Sequence, residues 1–385
     1  MARSRHRTPP VKVLHIIQNL DRASIETWLL QMLAYARSNG ISLDWTFYCT
    51  LGAAGSKDEL ARDLGARIVL TPVPIHRKTA FAKALRWELQ SGKYNVLHAH
   101  HDLVSGLYLA AAAGVPLLRR LVHVHNADEE VLTDNPVKKS VLRPTLRCAC
   151  LIMADKIVAN SNYALDTFLS GRPRRSGRDL VHYLGVDPFP FEAARGDRGA
   201  LRQSLDLPQD APILLFAGRM TPEKNPVFAV EVLAELRRRV PNAVGVFAGV
   251  GSLEDAVRLR VSELGLTEAV RLLGWRNDIP EIMRASDWFI LPHPEHPVEA
   301  FGIAVVEAQL AGLRMLLSRG ILDDPLLPTA VFRRLSLADP PTAWAEAALE
   351  MLEGPPPSRT GALAAHRESP MDMDRALGNL LDLYV

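Results

Sequence analysis

Short apolar runs alternate along this chain with longer stretches whose apolar side chains recur at helical spacing. A strand covered on both faces needs such a run, and a helix with one buried stripe needs the longer period. Residues 11–17, 43–49, 67–70, 96–100, 121–125 and 156–160 read as strands. Residues 25–38, closing at Gly40, and the apolar stretch through Ala113 read as helices. A basic, turn-rich loop at 171–178 precedes one last strand at 181–184, and residues 185–188 read as a linker. A second series then begins. Residues 212–218, 243–249, 270–273, 288–292 and 314–318 are its expected strands, with helices at 226–239, 252–264 and between Gly302 and Gly312. The alternation predicts an α/β protein of two doubly wound, Rossmann-like domains with parallel sheets. The expected division is 1–187, 188–368 and a tail of 369–385. In that tail Met371, Met373, Ala376, Leu380, Leu381, Leu383 and Tyr384 predict a short amphipathic helix packed back on the body.

Composition narrows the class. The chain has 385 residues, 48% hydrophobic and 23% charged, the range of globular proteins. A formal net charge of +2 gives no reason to expect a nucleic-acid partner. Cys49, Cys148 and Cys150 have no spacing that suggests a disulfide framework, so a reducing compartment is expected. Residues 1–10 are basic and contain proline but lack the apolar core of a secretory signal. The apolar run at 106–118 is shorter than the roughly 20 residues a membrane-spanning helix needs. A cytoplasmic protein is expected.

Candidate chemistry gathers at the ends of the expected strands. Glu299 and Glu307 flank Ala300, Phe301, Gly302 and Ile303, where a helix should open. A helix N-terminus presents unpaired N–H groups and partial positive charge, and it can hold a phosphate. Two carboxylates beside that phosphate would accept hydrogen bonds from hydroxyls on either side of it, the pattern of a nucleotide-sugar. Alone, two acids on a helix are usually a solvated face. Gly218, Arg219 and Lys224 follow the first strand of the second series, and an arginine fork with a lysine ammonium suits a diphosphate. Gly249 and Gly251 permit close backbone approach or a tight turn. Trp275 and Arg276 could border a base, although Trp275 is equally suited to packing.

His98, His100, His101, His123 and His125 alternate along two expected strands. No acidic residue stands at ligand spacing among them, so a metal centre is not expected. His125, at a strand end, is by itself most simply a hydrogen-bonded core residue.

With these residues assembled, the chain resembles the retaining glycosyltransferases of family 4, which have the GT-B fold. The resemblance covers nearly the whole length. It rests on Gly218-Arg219 through Lys224-Asn225, Gly249-Val250-Gly251, Ala285-Ser286-Asp287, the Glu299 and Glu307 pair around Ala300-Phe301-Gly302, and Gly185-Val186-Asp187. In the first domain, residues 13–17, Ile25-Glu26-Thr27, His98 to His101 and residues 120–126 look like members that build exopolysaccharide or capsule.

The resemblance implies a function and roles. A sugar would pass, with retention, from a UDP- or GDP-sugar to a hydroxyl acceptor, which could be lipid-linked. Arg219 and Lys224 would neutralise the donor diphosphate, Glu307 would hold ribose hydroxyls, and Glu299 would contact the transferred sugar. The backbone from Ala300 to Ile303 would touch sugar or phosphate. His125 would lie on the sugar and acceptor side. No metal and no cofactor is implied, and the tail helix would return to the first domain. Basic residues Arg77, Lys78, Lys138, Lys139, Arg143 and Arg147 could form a face toward anionic lipid at the inner side of a membrane, although any one cluster is more simply ordinary solvated charge.

The chain departs from the family at Asp21-Arg22-Ala23-Ser24, where paired glycines are usual. A nucleotide-sugar epimerase of the same architecture and a non-catalytic nucleotide-sugar binder remain as alternatives.

Overall fold

The computed structural model describes residues 11–21, 24–126, 135–193, 198–204 and 206–385. Arg22 and Ala23 lie outside the described residues. The chain forms two compact units, one of Met1–Gly185 with Met373–Val385 and one of Val186–Asp372.

The first unit is built on seven strands, β1 Lys12–Ile17, β2 Asp44–Cys49, β3 Arg67–Leu70, β4 Val96–Ala99, β5 Arg119–Val124, β6 Lys156–Ala159 and β7 Asp179–Val181. They lie side by side in the order β3-β2-β1-β4-β5-β6-β7, and every pairing is parallel. The apolar runs are strands because parallel strands are covered on both faces; Val13, Leu14, Leu97, Val122 and Ile157 are fully buried. Helix Ser24–Ser38 buries Trp28, Leu29, Met32 and Leu33 and touches helix Met373–Asp382, so the C-terminal helix belongs to this unit.

The second unit has six parallel strands, β8 Ile213–Ala217, β9 Val244–Ala248, β10 Val270–Gly274, β11 Trp288–Leu291, β12 Arg314–Ser318 and β13 Phe332–Leu335, in the order β10-β9-β8-β11-β12-β13. In each sheet the connections change direction between the two central strands, β1 and β4 in one, β8 and β11 in the other. Loops at the carboxyl ends of such a pair diverge and leave a crevice, where ligands of doubly wound sheets bind.

Three details differ from expectation. The last strand of the first sheet is β7 rather than residues 181–184. The acidic Asp179 hid its start: its carboxylate turns back to accept from the Arg175 N–H at 2.8 Å, so a buried charged residue begins the strand. Residues 369–372 do not join the tail helix. The Val186 N–H donates to Met371 O at 2.8 Å and Val186 bridges Asp372, which ties this stretch to the second unit. Several elements carried too weak a pattern to be read, among them helices Lys78–Gly92, Pro136–Met153, Pro341–Glu353 and Arg359–Glu368, and β13 with its paired Arg333 and Arg334. No helix among the described residues is long and apolar enough to cross a membrane.

Candidate active site

The chemistry of the second unit gathers at the carboxyl ends of β8 and β11. After β8, Gly218 leaves the sheet at φ 159°, and a short 3-10 turn, Pro222–Lys224, leads to helix Pro226–Arg239. After β11, the chain passes through His293 to Glu299. The Glu299 N–H donates to Gly320 O at 2.8 Å, and Glu299 bridges Ile321 just beyond β12. Adjacent strands thus deliver Lys224 and Glu299 to one point, where the ammonium lies against the carboxylate. Both side chains are largely buried, at 17% and 15% exposure, so the pair is screened less than a surface ion pair.

Burial, and next the nearby Arg219 guanidinium, pull the Lys224 ammonium below its ordinary pKa. The nearby Glu223 carboxylate opposes that pull. Arg219 itself is exposed. His293 was not singled out from sequence. It is buried, with Nε2 3.7 Å from a Glu299 oxygen and Nδ1 2.9 Å from Pro294 O, and the Ser318 hydroxyl donates to its carbonyl at 2.5 Å. Burial pushes its pKa down to about 4, so it is neutral near pH 7. Its signal in the sequence was position alone, two residues past a strand that ends in the crevice.

Gly302 caps helix Ile303–Ala311, which follows buried Ala300 and Phe301 and closes on Gly312 at φ 79°. The first-turn N–H groups there have no side-chain cap, as an anion-receiving end requires. Glu307 sits one turn into this helix, half-buried. Burial pushes its carboxyl up to about 7.

Two expected contacts take another form. Gly249 and Gly251 are glycines because backbone presses on them. A side chain at Gly249 would collide with the Gly218 carbonyl, and one at Gly251 with the Met220 carbonyl. Gly218 N–H to Ala248 O and Met220 N–H to Val250 O, both 3.0 Å, seam the two loops together. These glycines shape the crevice wall by letting the Arg219 loop close on it. Arg276 is engaged by Asp278 through two hydrogen bonds of 2.7 and 2.5 Å, which raise its pKa, and Trp275 Nε1 leans on Asn277 at 3.4 Å.

In the first unit, His125 follows β5 and is buried. Its backbone is clamped: the N–H donates to Asp102 Oδ1 at 2.8 Å, and the carbonyl accepts from Asn160 Nδ2 at 2.9 Å. The other Asp102 oxygen takes Asn126 Nδ2 at 2.7 Å. Asp102, at φ 42°, is a second residue that sequence reading passed over. Burial holds the His125 pKa down to about 3, with His182 and His101 adding to the shift.

The expectation about metal needs one addition. His15, His98 and His100, and likewise His100, His123 and His125, each bring three ring nitrogens within 4.8 Å of one another. These buried triads are the groups suited to hold a cation. Their nitrogens are occupied in large part by one another: His15 Nδ1 lies 3.0 Å from His100 Nε2, His100 Nδ1 2.9 Å from His125 Nε2, and His98 Nε2 3.2 Å from His123 Nδ1.

Comparison with known proteins agrees with this architecture. The model of the family described as Glycosyltransferase Family 4 matches residues 25–188, and that of Glycosyl transferases group 1 matches residues 197–356. A putative glycosyltransferase, EpsF of Bacillus subtilis, is 26% identical over 379 residues, covering 97% of this chain and 96% of its own. An Escherichia coli UDP-Gal:alpha-D-GlcNAc-diphosphoundecaprenol alpha-1,3-galactosyltransferase is 28% identical over 246 residues, 60% of this chain and 59% of its own. Among solved structures, Anabaena HepE in complex with UDP superposes with a TM-score of 0.75 at 16% identity, covering 97% of this chain and 99% of that one. The fold is GT-B. The chain is a glycosyltransferase whose residues 25–188 match the family 4 model and whose residues 197–356 match the group 1 model.

Proposed function

We propose that this glycosyltransferase moves a sugar, with retention, from a nucleoside-diphosphate sugar to a hydroxyl acceptor and does so without a bound metal. One observation carries the reading: Lys224 and Glu299 meet at the carboxyl ends of the two central strands of the second unit. Set against one another, each neutralises the other. A donor diphosphate offers Lys224 a second anion, and Glu299 is then released to accept from a sugar hydroxyl. Arg219 adds its fork to the phosphates, and the open end of helix Ile303–Ala311, with the backbone of Ala300 to Ile303, receives charge that develops on the leaving group. Glu307 grips the ribose hydroxyls. His125 takes a hydroxyl of the transferred sugar.

Uridine is the nucleoside that the relatives favour: HepE has been solved with UDP and with UDP-glucose, and the E. coli relative is named for UDP-Gal. That relative's name also contains a lipid diphosphate, which supports a lipid-linked acceptor in polysaccharide or glycoconjugate assembly, at the inner face of a membrane. Helix Pro136–Met153 supplies a basic face for such a surface. It carries Lys138, Lys139 and Arg143, no acid, and exposed Val137, Val141 and Ile152. Arg147, expected in the same face, is instead buried, its Nε donating to Phe168 O at 3.0 Å.

A thermal-shift panel of UDP-, GDP- and ADP-sugars tests the donor, because a ligand that binds only the native state raises its melting temperature. Incubation with donor alone distinguishes an epimerase, which isomerises the sugar, from a transferase. The anomeric configuration of a transferred sugar, read by NMR, tests retention. Sedimentation with anionic vesicles at low and high salt tests the membrane face; the same partitioning at both would remove it.

A further inference from the structure

In the first sheet the chain crosses from β3 to β4, from β4 to β5 and from β5 to β6 in one direction along the strand order. Right-handed crossovers therefore set the connecting helices, Lys78–Gly92, Ser105–Ala111 and Pro136–Met153, on one face of the sheet. The packing agrees, since the first and third of these helices both lie against Ser105–Ala111. Helix Lys78–Gly92 covers the edge of the sheet and buries Phe81, Leu85 and Leu89.

A cavity of about 390 Å³ opens between this helix and β3, lined by Leu70, Pro72, Ala84 and Trp87 together with Tyr48 and Glu88. Both polar side chains are engaged within the protein. The Tyr48 hydroxyl donates to Thr71 Oγ1 at 3.1 Å, and Glu88 Oε1 accepts from the Tyr94 hydroxyl at 2.7 Å. What the cavity offers a guest is therefore mainly aliphatic and aromatic surface. Trp87 is 68% exposed and Leu70 38%, large apolar side chains whose covering is favourable. At ~30 Å³ for a water-sized group, the space takes about a dozen carbon atoms.

The nearby charges say which guest. A helix that leads from β3 back to β4 runs against the strands, so its first residues stand at their carboxyl ends, the side on which ligands of such sheets bind. Arg77 and Lys78 are exposed there, and the first turn holds no acid. Arg77 precedes Ala84 by seven residues, two turns along the same helix face or about 10 Å. A cationic end and an apolar end on one groove match an amphiphile with an anionic head and a hydrocarbon tail. A second copy of this chain matches less well. A two-fold contact through this patch would set Arg77, Lys78 and the exposed Lys83 against their own counterparts.

We propose that this cavity holds the hydrocarbon chain of a lipid phosphate or diphosphate whose head lies toward Arg77 and Lys78. That this lipid is the sugar acceptor rests on the function proposed above. The cavity and the membrane face assigned to helix Pro136–Met153 share one side of this unit.

Calorimetry of the full-length protein with dimethylallyl, geranyl and farnesyl diphosphates, each below its micelle concentration, tests the cavity. A buried methylene strengthens binding roughly fourfold. Affinity should therefore rise at least tenfold from the five-carbon to the fifteen-carbon chain. Trp87→Ala and Leu70→Gln, both at exposed positions, should each cut that rise to less than threefold and leave binding of dimethylallyl diphosphate unchanged. A rise below tenfold in wild type, or above threefold in both variants, would overturn the proposal. So would a dimer, seen by light scattering, that Trp87→Ala breaks, since the patch would then belong to a second copy. Incubating a farnesyl-diphosphate-linked sugar with a UDP-sugar separates this proposal from the reading it rests on. Chain-length-dependent binding without transfer keeps the cavity and ends the lipid-linked acceptor. Transfer without chain-length dependence ends the cavity and keeps the acceptor.

Discussion

The Lys224 ammonium rests against the Glu299 carboxylate, each brought there by one of two neighbouring strands, β8 and β11. A buried pair of this kind is costly to break from one side, because the remaining charge loses its partner inside the protein. Lys224→Ala should weaken binding of a nucleoside-diphosphate sugar by roughly ten- to a hundredfold, the range of a lost charge-assisted contact. Glu299→Gln should leave nucleotide affinity within about threefold and depress turnover, since the carboxylate is assigned to the sugar. Calorimetry with UDP and UDP-sugar, set beside turnover, checks both. Equal affinity in wild type and Lys224→Ala would remove the diphosphate site.

Glu307 gives a pH dependence with a definite sign. Its folded pKa, near 7, lies above that of an unfolded glutamate. Protonation therefore favours the folded state: this contribution to stability is complete below the unfolded pKa and is lost as pH rises through about 7. Ribose hydroxyls need the ionised acceptor, so donor affinity should move the opposite way and rise about tenfold from pH 6 to pH 8. Glu307→Gln should flatten the affinity profile and lower its upper plateau. A wild-type slope in that variant would mean another group titrates.

Gly251→Ala should destabilise the second unit by about 2 kcal/mol or more, since the added methyl meets the Met220 backbone carbonyl and not a movable side chain. Gly265→Ala serves as the comparison, being strained by its φ of 66° but with open space around it. Chemical denaturation should show the larger loss at Gly251. The reverse order would contradict the close seam between the 218–220 and 249–251 loops.

Asp102→Ala removes the acceptor of the His125 N–H and of Asn126. A buried N–H left unpaired costs about 1–3 kcal/mol, and the melting temperature should fall accordingly. Asp102→Asn keeps one oxygen and tolerates positive φ, so it should lose less.

Chelation should leave transfer unchanged, because Arg219, Lys224 and the open helix end are assigned the charge that a metal would otherwise neutralise. Activity lost to chelator and restored by a divalent ion would overturn the metal-independent mechanism.

Much of this protein could be read from its residues in order. The strand runs around Val13, Val96, Ile213 and Phe289 were legible because burial on both faces of a parallel sheet leaves an unbroken apolar signature. The helix opening at Gly302 was legible because glycines bracket an apolar face. Lys224 and Glu299 were readable as charged residues beside turns, but their contact was not. It depends on β8 and β11 being neighbours, a matter of strand order that no local pattern encodes. Asp102 went unseen for the same reason, since its partners His125 and Asn126 follow a different strand, β5. Gly249 and Gly251 read equally as close-approach glycines or a tight turn, and only the folded backbone shows that they accommodate the loop after β8. The histidines make the division plainest. Their alternation was visible at once, but whether such rings bind a cation or hydrogen-bond one another is set by three-ångström distances between strands, and those exist only in the assembled sheet.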